Sequence, residues 1–148
     1  MFLLDTDVVS EMRRPHVNFN VRAWVEDKPH ELQALSAISL LEIARGAARH
    51  PDPQQALSIQ RWIDLTLRPW FDDRVLPVST EIAERAGLCM GTRERAGRPL
   101  SLPDALIAAT AIHHNLVLVT RNTRDFVALP LDVYDPWKNE LTPGEKRR

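Results

Sequence analysis

Cysteine is nearly missing from this 148-residue chain. The single one, Cys89, excludes an internal disulfide framework and a cysteine-built zinc site. Its place in Ile82-Ala83-Glu84-Arg85-Ala86-Gly87-Leu88-Cys89-Met90 marks a helix-packing residue rather than a nucleophile. No apolar run approaches the ~20 residues that span a bilayer, so no membrane association is expected. No basic leader precedes Asp5, so no signal peptide is expected and the reading is cytoplasmic. Charge of one sign is missing as well: the formal net charge is -1, so the molecule as a whole has no field for polyanions. Any nucleic-acid affinity has to come from local groups. Arg13 with Arg14, Arg45 with Arg49, Arg93 with Arg95 and Arg98, and Arg121 with Arg124 are the candidates. Each is equally readable as a solvated helix face.

Repeats, low-complexity tracts and Gly/Ser linkers are absent too, and what remains alternates. Phe2-Leu3-Leu4 reads as a short buried strand ending at Asp5, and Val8 to Met12 as the start of a short helix. Val21, Trp24 and Val25 lie at helical spacing between Asn18 and Lys28, and Pro29 closes that helix. Leu32 to Ala37 reads as a second strand. From Ser39, positions Leu40, Ala44, Ala47 and Ala48 follow the 3.6-residue period. A longer helix after Pro53 carries Ala56, Ile59, Ile63 and Leu67 on one face, with Pro69 as its stop. Val75 to Val78 is extended, and Ser79 caps a helix with Ile82, Ala86 and Met90. Ser101-Leu102-Pro103-Asp104 opens the next helix. Leu116 to Thr120 is the clearest strand, and Leu131-Asp132-Val133 is read as the last. This alternation predicts an α/β fold, a short, mostly parallel central sheet with helices on both sides. In such sheets sites form at the carboxyl ends of strands, which directs Asp5 and the Arg121–Asp125 loop to one edge.

Each acid there has a structural alternative. Asp5 could start a turn, although a charge at a buried strand end is costly without compensation. Glu42 could pair with Arg45 on a helix surface. Asp104 could complete a capping box with Ser101 and favour the helix dipole. Asp125 and Asn122 could cap turns. Their joint order and context decide otherwise. The segments Leu3-Leu4-Asp5-Thr6-Asp7-Val8-Val9-Ser10-Glu11, Ser39-Leu40-Leu41-Glu42-Ile43, Pro103-Asp104-Ala105 and Val119-Thr120-Arg121-Asn122-Thr123-Arg124-Asp125-Phe126, with Tyr134-Asp135-Pro136-Trp137 near the end, resemble the PIN-domain ribonucleases. They are most similar to the VapC-like toxins of type II toxin–antitoxin pairs, in the FitB-like branch.

The resemblance implies a PIN-like fold over residues 1–141, with 142–148 as a mobile basic tail. It places the first metal-binding aspartate at Asp5, the central glutamate at Glu42 and the Pro-Asp-Ala aspartate at Asp104. A fourth acid is usual two positions after the strand threonine; here that position holds Asn122, and the acid stands at Asp125. Both stay candidates. Asp7 occupies a position where the branch usually has asparagine. Asp5 and Asp104 are expected to bind the metal ion, and Glu42 with residue 122 or 125 to orient the attacking water. Carboxylates ~4 Å apart repel by ~4 kcal/mol per pair at an effective dielectric of about 20, so the cluster calls for protons or a cation. An oxygen-only donor set favours Mg2+, with Mn2+ as the other choice. Such an ion polarises the scissile phosphate and acidifies a water for in-line attack; the implied products carry 5′ phosphate and 3′ hydroxyl ends.

Implied partners are RNA, a cognate antitoxin and a second copy of the chain; the apolar residues around Trp62, Leu65 and Trp70 suit either a partner or the core. Arg121 and Arg124 are best placed for flanking phosphates. Two other readings compete. Leu4-Asp5-Thr6-Asp7-Val8-Val9 also matches the signature of haloacid-dehalogenase-type phosphatases, but these need a lysine near the site. The lysines here, Lys28, Lys138 and Lys146, follow no suitable strand, and Glu42 is left unexplained. A catalytically silent binding module would have no use for three placed acids.

Overall fold

Phe2–Leu4 (β1) is the strand that everything else is built around. A computed structural model describes residues 1–145. In it β1 is flanked by Gln33–Ser36 (β2) and Val117–Val119 (β4), both parallel to it, in registers Leu3↔Ala34 and Leu3↔Leu118. Val75–Leu76 (β3) continues the sheet beyond β2, and Val133–Asp135 (β5) beyond β4. Glu140–Thr142 (β6) closes the far edge antiparallel to β5, giving the order β3-β2-β1-β4-β5-β6. The chain therefore moves outward on one side, then returns to β1 and moves outward on the other. The reversal lies between β1 and β4, where α/β sheets open a crevice at the strand ends.

The two-residue period of a strand sends alternate side chains to opposite faces. Leu3, Ala34, Leu118 and Val133 form one core with Thr80–Arg95 (α6) and Leu102–His113 (α7). Leu4, Leu35 and Val119 form the other, with Thr6–Glu11 (α1), Phe19–Asp27 (α2) and residues of Ala37–Arg49 (α3). Both cores are dry and contiguous, as the mostly parallel α/β expectation requires.

Several local expectations shift. α3 begins at Ala37, because Ser36 Oγ accepts the Ile38 N–H at 3.0 Å and caps it. Its buried face is Ser39, Ile43 and Ala47, while Ala44 and Ala48 are exposed. Pro69 does not stop the helix that begins as Pro53–Trp62 (α4). The turn Ile63–Leu67 widens into a π-helix in which the Arg68 N–H reaches Ile63 O, and Pro69 then sits in the first turn of Arg68–Phe71 (α5), where a missing N–H costs little. The widened turn keeps Ile63, Leu67 and Phe71 all buried. The final core strand is Val133–Asp135, not Leu131–Val133, and β6 has no clear sequence signal. The tail expected to be mobile from Thr142 is held as far as Glu145. Thr142 pairs with Val133, the Gly144 N–H donates to Asp132 Oδ1 at 2.8 Å and the Glu145 N–H to Leu129 O at 3.1 Å. A Cβ on Gly144 would lie 2.5 Å from the Leu131 backbone, so only glycine fits there. The remainder of that tail, 146–148, lies outside the described residues.

Candidate active site

Asp5 is the first residue beyond β1, and the sheet holds it from both sides. Its N–H extends the ladder to Val119 O at 2.9 Å. One carboxylate oxygen caps α1 by accepting the Thr6 N–H at 2.8 Å, and the other accepts from Thr120 Oγ1 at 2.9 Å. Thr120 is the matching first residue beyond β4. The side chain of Asp5 is only 5% exposed. Burial, then the charge of Asp7 and more weakly that of Asp104, push its carboxyl up to about 7, against the opposing hydrogen bonds from Thr120 and Thr6.

Asp7 stands two residues further on, in the first turn of α1. Its Oδ2 accepts the Arg121 N–H at 2.9 Å and lies 3.3 Å from Thr120 Oγ1, while Oδ1 is buried with no hydrogen-bond partner among the described residues. Burial raises its carboxyl too, and Asp135 adds to the effect. Asp104 projects from the first turn of α7. Its N–H is capped by Ser101 Oγ at 3.3 Å, so the capping role foreseen for this turn coexists with a site role. The Asp104 carboxyl is raised by burial first and then by the charges of Asp125 and Glu42. These influences link Asp5, Asp104, Glu42 and Asp125 into one electrostatic cluster.

Glu42 is half-buried on α3, and its Oε1 accepts from Thr6 Oγ1 at 2.8 Å; Thr6 also lies 2.9 Å from Ser39 Oγ. The proposed surface pairing of Glu42 with Arg45 is not formed among the described residues. Asn122 and Asp125 share the loop after β4, and both side chains are exposed. Asn122 contributes its N–H to Thr120 Oγ1 at 3.1 Å, whereas Asp125 contributes charge felt at Asp104.

Sequence reasoning missed three participants. Thr6 and Ser39 hold Glu42; their signal was position, one residue after Asp5 and three before Glu42. Asp135, 3% exposed at the end of β5, stands beside Asp7 and was visible only as part of Tyr134-Asp135-Pro136-Trp137. One basic candidate drops out. Arg93 is buried, donating to Arg98 O, Asp125 O and Val127 O at 2.8–2.9 Å, so it shapes the loop that carries Asp125 rather than facing solvent. Arg13 and Arg14 are occupied as well, with Ser58 and Glu11.

Among the described residues, no three His, Cys, Asp or Glu side chains form a ready-made metal cage as they stand. The donor chemistry still fits a hard cation: only oxygens converge, one buried carboxylate oxygen lacks a partner, and Asp5 holds its proton to near neutrality.

A parallel sheet with carboxylates gathered at its switch point defines a class of α/β protein suited to handling phosphate esters through a cation. The particular family follows from comparison. The PIN domain family matches residues 2–130, and the chain belongs to it. It is 31% identical over 138 residues to the VapC ribonuclease Y4jK of Sinorhizobium fredii, covering 93% of this chain and 99% of the relative. Its fold superposes on the crystal structure of FitAcB from Neisseria gonorrhoeae with a TM-score of 0.86 at 33% identity, covering 93% of this chain and 99% of that one. A toxin–antitoxin complex from Klebsiella pneumoniae gives a TM-score of 0.70 at 29% identity, covering 92% and 98%. PIN-domain ribonucleases are metal-dependent enzymes. No helix among the described residues is long and apolar enough to cross a membrane.

Proposed function

We propose that this chain is the toxin of a type II toxin–antitoxin pair, an endoribonuclease that hydrolyses RNA phosphodiester bonds with Mg2+, or Mn2+ in its place, in the cytoplasm. Residues 1–141 serve as a single nuclease domain. The observation that carries this reading is the seat of Asp5, buried between β1 and β4, where the charge of Asp104 is felt, with Glu42 and Asp125 in turn felt at Asp104. Family membership and the relatives' names support it.

Asp5 and Asp104 hold the ion. Two carboxylates with the remaining positions filled by water suit Mg2+, which dehydrates reluctantly and needs no full protein cage. Between these two carboxylates a bound ion would supply polarisation of the scissile phosphate and a lowered pKa for a water. Thr120 keeps the Asp5 carboxylate aimed outward, and Thr6 does the same for Glu42, which orients the water. Asp125 fits the role of fourth acid because its charge reaches Asp104; Asn122 supports the site through its backbone. Arg121 and Arg124 take flanking phosphates. A cognate antitoxin covers the acidic edge, and a second copy pairs through apolar surface, for which the exposed Leu57 and Leu65 offer side chains.

The test is cleavage of total RNA in Mg2+, with 5′ ends mapped. Asp5→Ala and Asp104→Ala are expected to lose at least about 100-fold in rate, as loss of a preorganised charge group does. Undiminished cleavage by either variant overturns the site assignment. Turnover of p-nitrophenyl phosphate with an aspartyl-phosphate trapped at Asp5 would overturn the nuclease reading in favour of a phosphatase.

A further inference from the structure

Arg121 follows Thr120 directly, so its backbone is fixed at the rim of the acid cluster by the N–H bond to Asp7. Arg121 is exposed, and its guanidinium forms no ion pair among the described residues. Instead its central carbon sits 5.2 Å from the centre of the Trp137 ring. The backbone that carries the ring is held on both sides. The Trp137 N–H donates to the buried Asp135 at 2.8 Å, and Trp137 O accepts from Asn20 Nδ2, also at 2.8 Å, at the start of α2.

We infer that Trp137 is a positioning residue that keeps the Arg121 guanidinium stacked at the rim of the acid cluster, ready for the phosphate next to the scissile bond. The inference rests on the RNA-cleaving reading above. A free arginine beside these acids would fold in and occupy the cation's place. Stacking on a ring face uses the flat side of the guanidinium and leaves its N–H edge open, the edge that grips phosphate. Trp137 thus holds the positive charge outside the acid cluster and inside reach of the backbone that must pass over it.

The test compares Trp137→Phe, which keeps a ring face, with Trp137→Leu, which fills the space without one, alongside Arg121→Ala and the Arg121→Ala/Trp137→Leu double variant. The probe is a fluorescein-labelled, mixed-sequence 20-nucleotide single-stranded RNA, read by anisotropy in EDTA over a salt series. Arg121→Ala and Trp137→Leu are each expected to bind about five- to tenfold more weakly, and Arg121→Ala to lower the salt slope by about 0.7. Trp137→Phe stays within about twofold of the parent, and the double variant binds no more weakly than Arg121→Ala alone. With total RNA and Mg2+, the loss in Trp137→Leu falls on KM more than on kcat. Equal effects of Phe and Leu, or a full further loss from Trp137→Leu in the Arg121→Ala background, overturn the inference: the first makes Trp137 merely structural and the second makes it a direct RNA contact. Parent-like binding by both single variants overturns it while leaving the RNA reading intact. A parent protein that neither binds this RNA nor cuts total RNA overturns that reading, and the clamp with it.

Discussion

Asp5 is held in a form it would not choose in water. Burial first of all pushes its carboxyl from the ordinary 3.8 up to about 7 in the folded chain. Between those values the folded protein carries a proton that the unfolded chain has released, so stability is fully present below 3.8 and falls as pH rises toward 7. The loss is on the order of a few kcal/mol for the metal-free protein. Asp5→Asn keeps the shape and removes the charge. It is expected to flatten this pH dependence and to melt at a higher temperature than the parent at pH 8 in EDTA, while losing the response to Mg2+. Thermal unfolding across pH 4–8 decides it, and a variant that tracks the parent's slope refutes the assignment of the burden to Asp5. The sequence showed this residue's position but not its condition. Three apolar residues before an acid announce a strand end; that the carboxylate is then shared between Thr6 and Thr120 depends on which strand becomes the neighbour. The same limit applies to Glu42, whose anchor Thr6 is far away in sequence, and to Arg93, which looked like its exposed neighbours Arg95 and Arg98 until three carbonyls closed around it.

At the scale of elements, the loop after β4 is positioned by α6, a helix that precedes β4 in the chain. Arg93 on α6 donates to the carbonyls of Asp125 and Val127 and to Arg98 O, tying the Thr123–Phe126 turn to the end of its own helix. Arg93→Ala strands those carbonyls and frees the turn. The expected cost is about 3 kcal/mol in urea unfolding, together with reduced cleavage through the loosened Asp125; a loss of either quantity without the other would show that the two roles are separate. Elements whose signals were local were legible: Ser79 and Ser101 open the helices they were read to open, and the strand read at Leu116 to Thr120 is there as Val117–Val119. Elements set by neighbours were not. Pro69 is a local stop that the π-turn at Ile63–Leu67 absorbs, because ending the helix there would leave Phe71 out of the core. β6, with all three residues exposed, has no apolar pattern to read and is specified by its partner β5 and by the close passage of Gly144 over Leu131.

For the molecule as a whole, the proposed ion site at Asp5 implies that protons and divalent ions compete for one seat. Mg2+ is expected to raise the melting temperature at pH 8, by the equivalent of ~2.7 kcal/mol when present at about 100 times its dissociation constant. The rise should shrink at pH 5, where Asp5 is protonated. Calorimetry at the two pH values checks this, and an equal response would locate the ion elsewhere.

The pairing of β1 with β4 also sets a schedule. Asp5 is made 115 positions before Thr120, whose hydroxyl aims it. A chain ending at His113 contains Asp5, Glu42 and Asp104 but lacks β4, one of the two strands beside β1; it is expected to show no cooperative unfolding transition by circular dichroism and no cleavage. During synthesis the three acids exist together from Asp104 onward, and the seat of Asp5 is completed only when β4 and Thr120 follow.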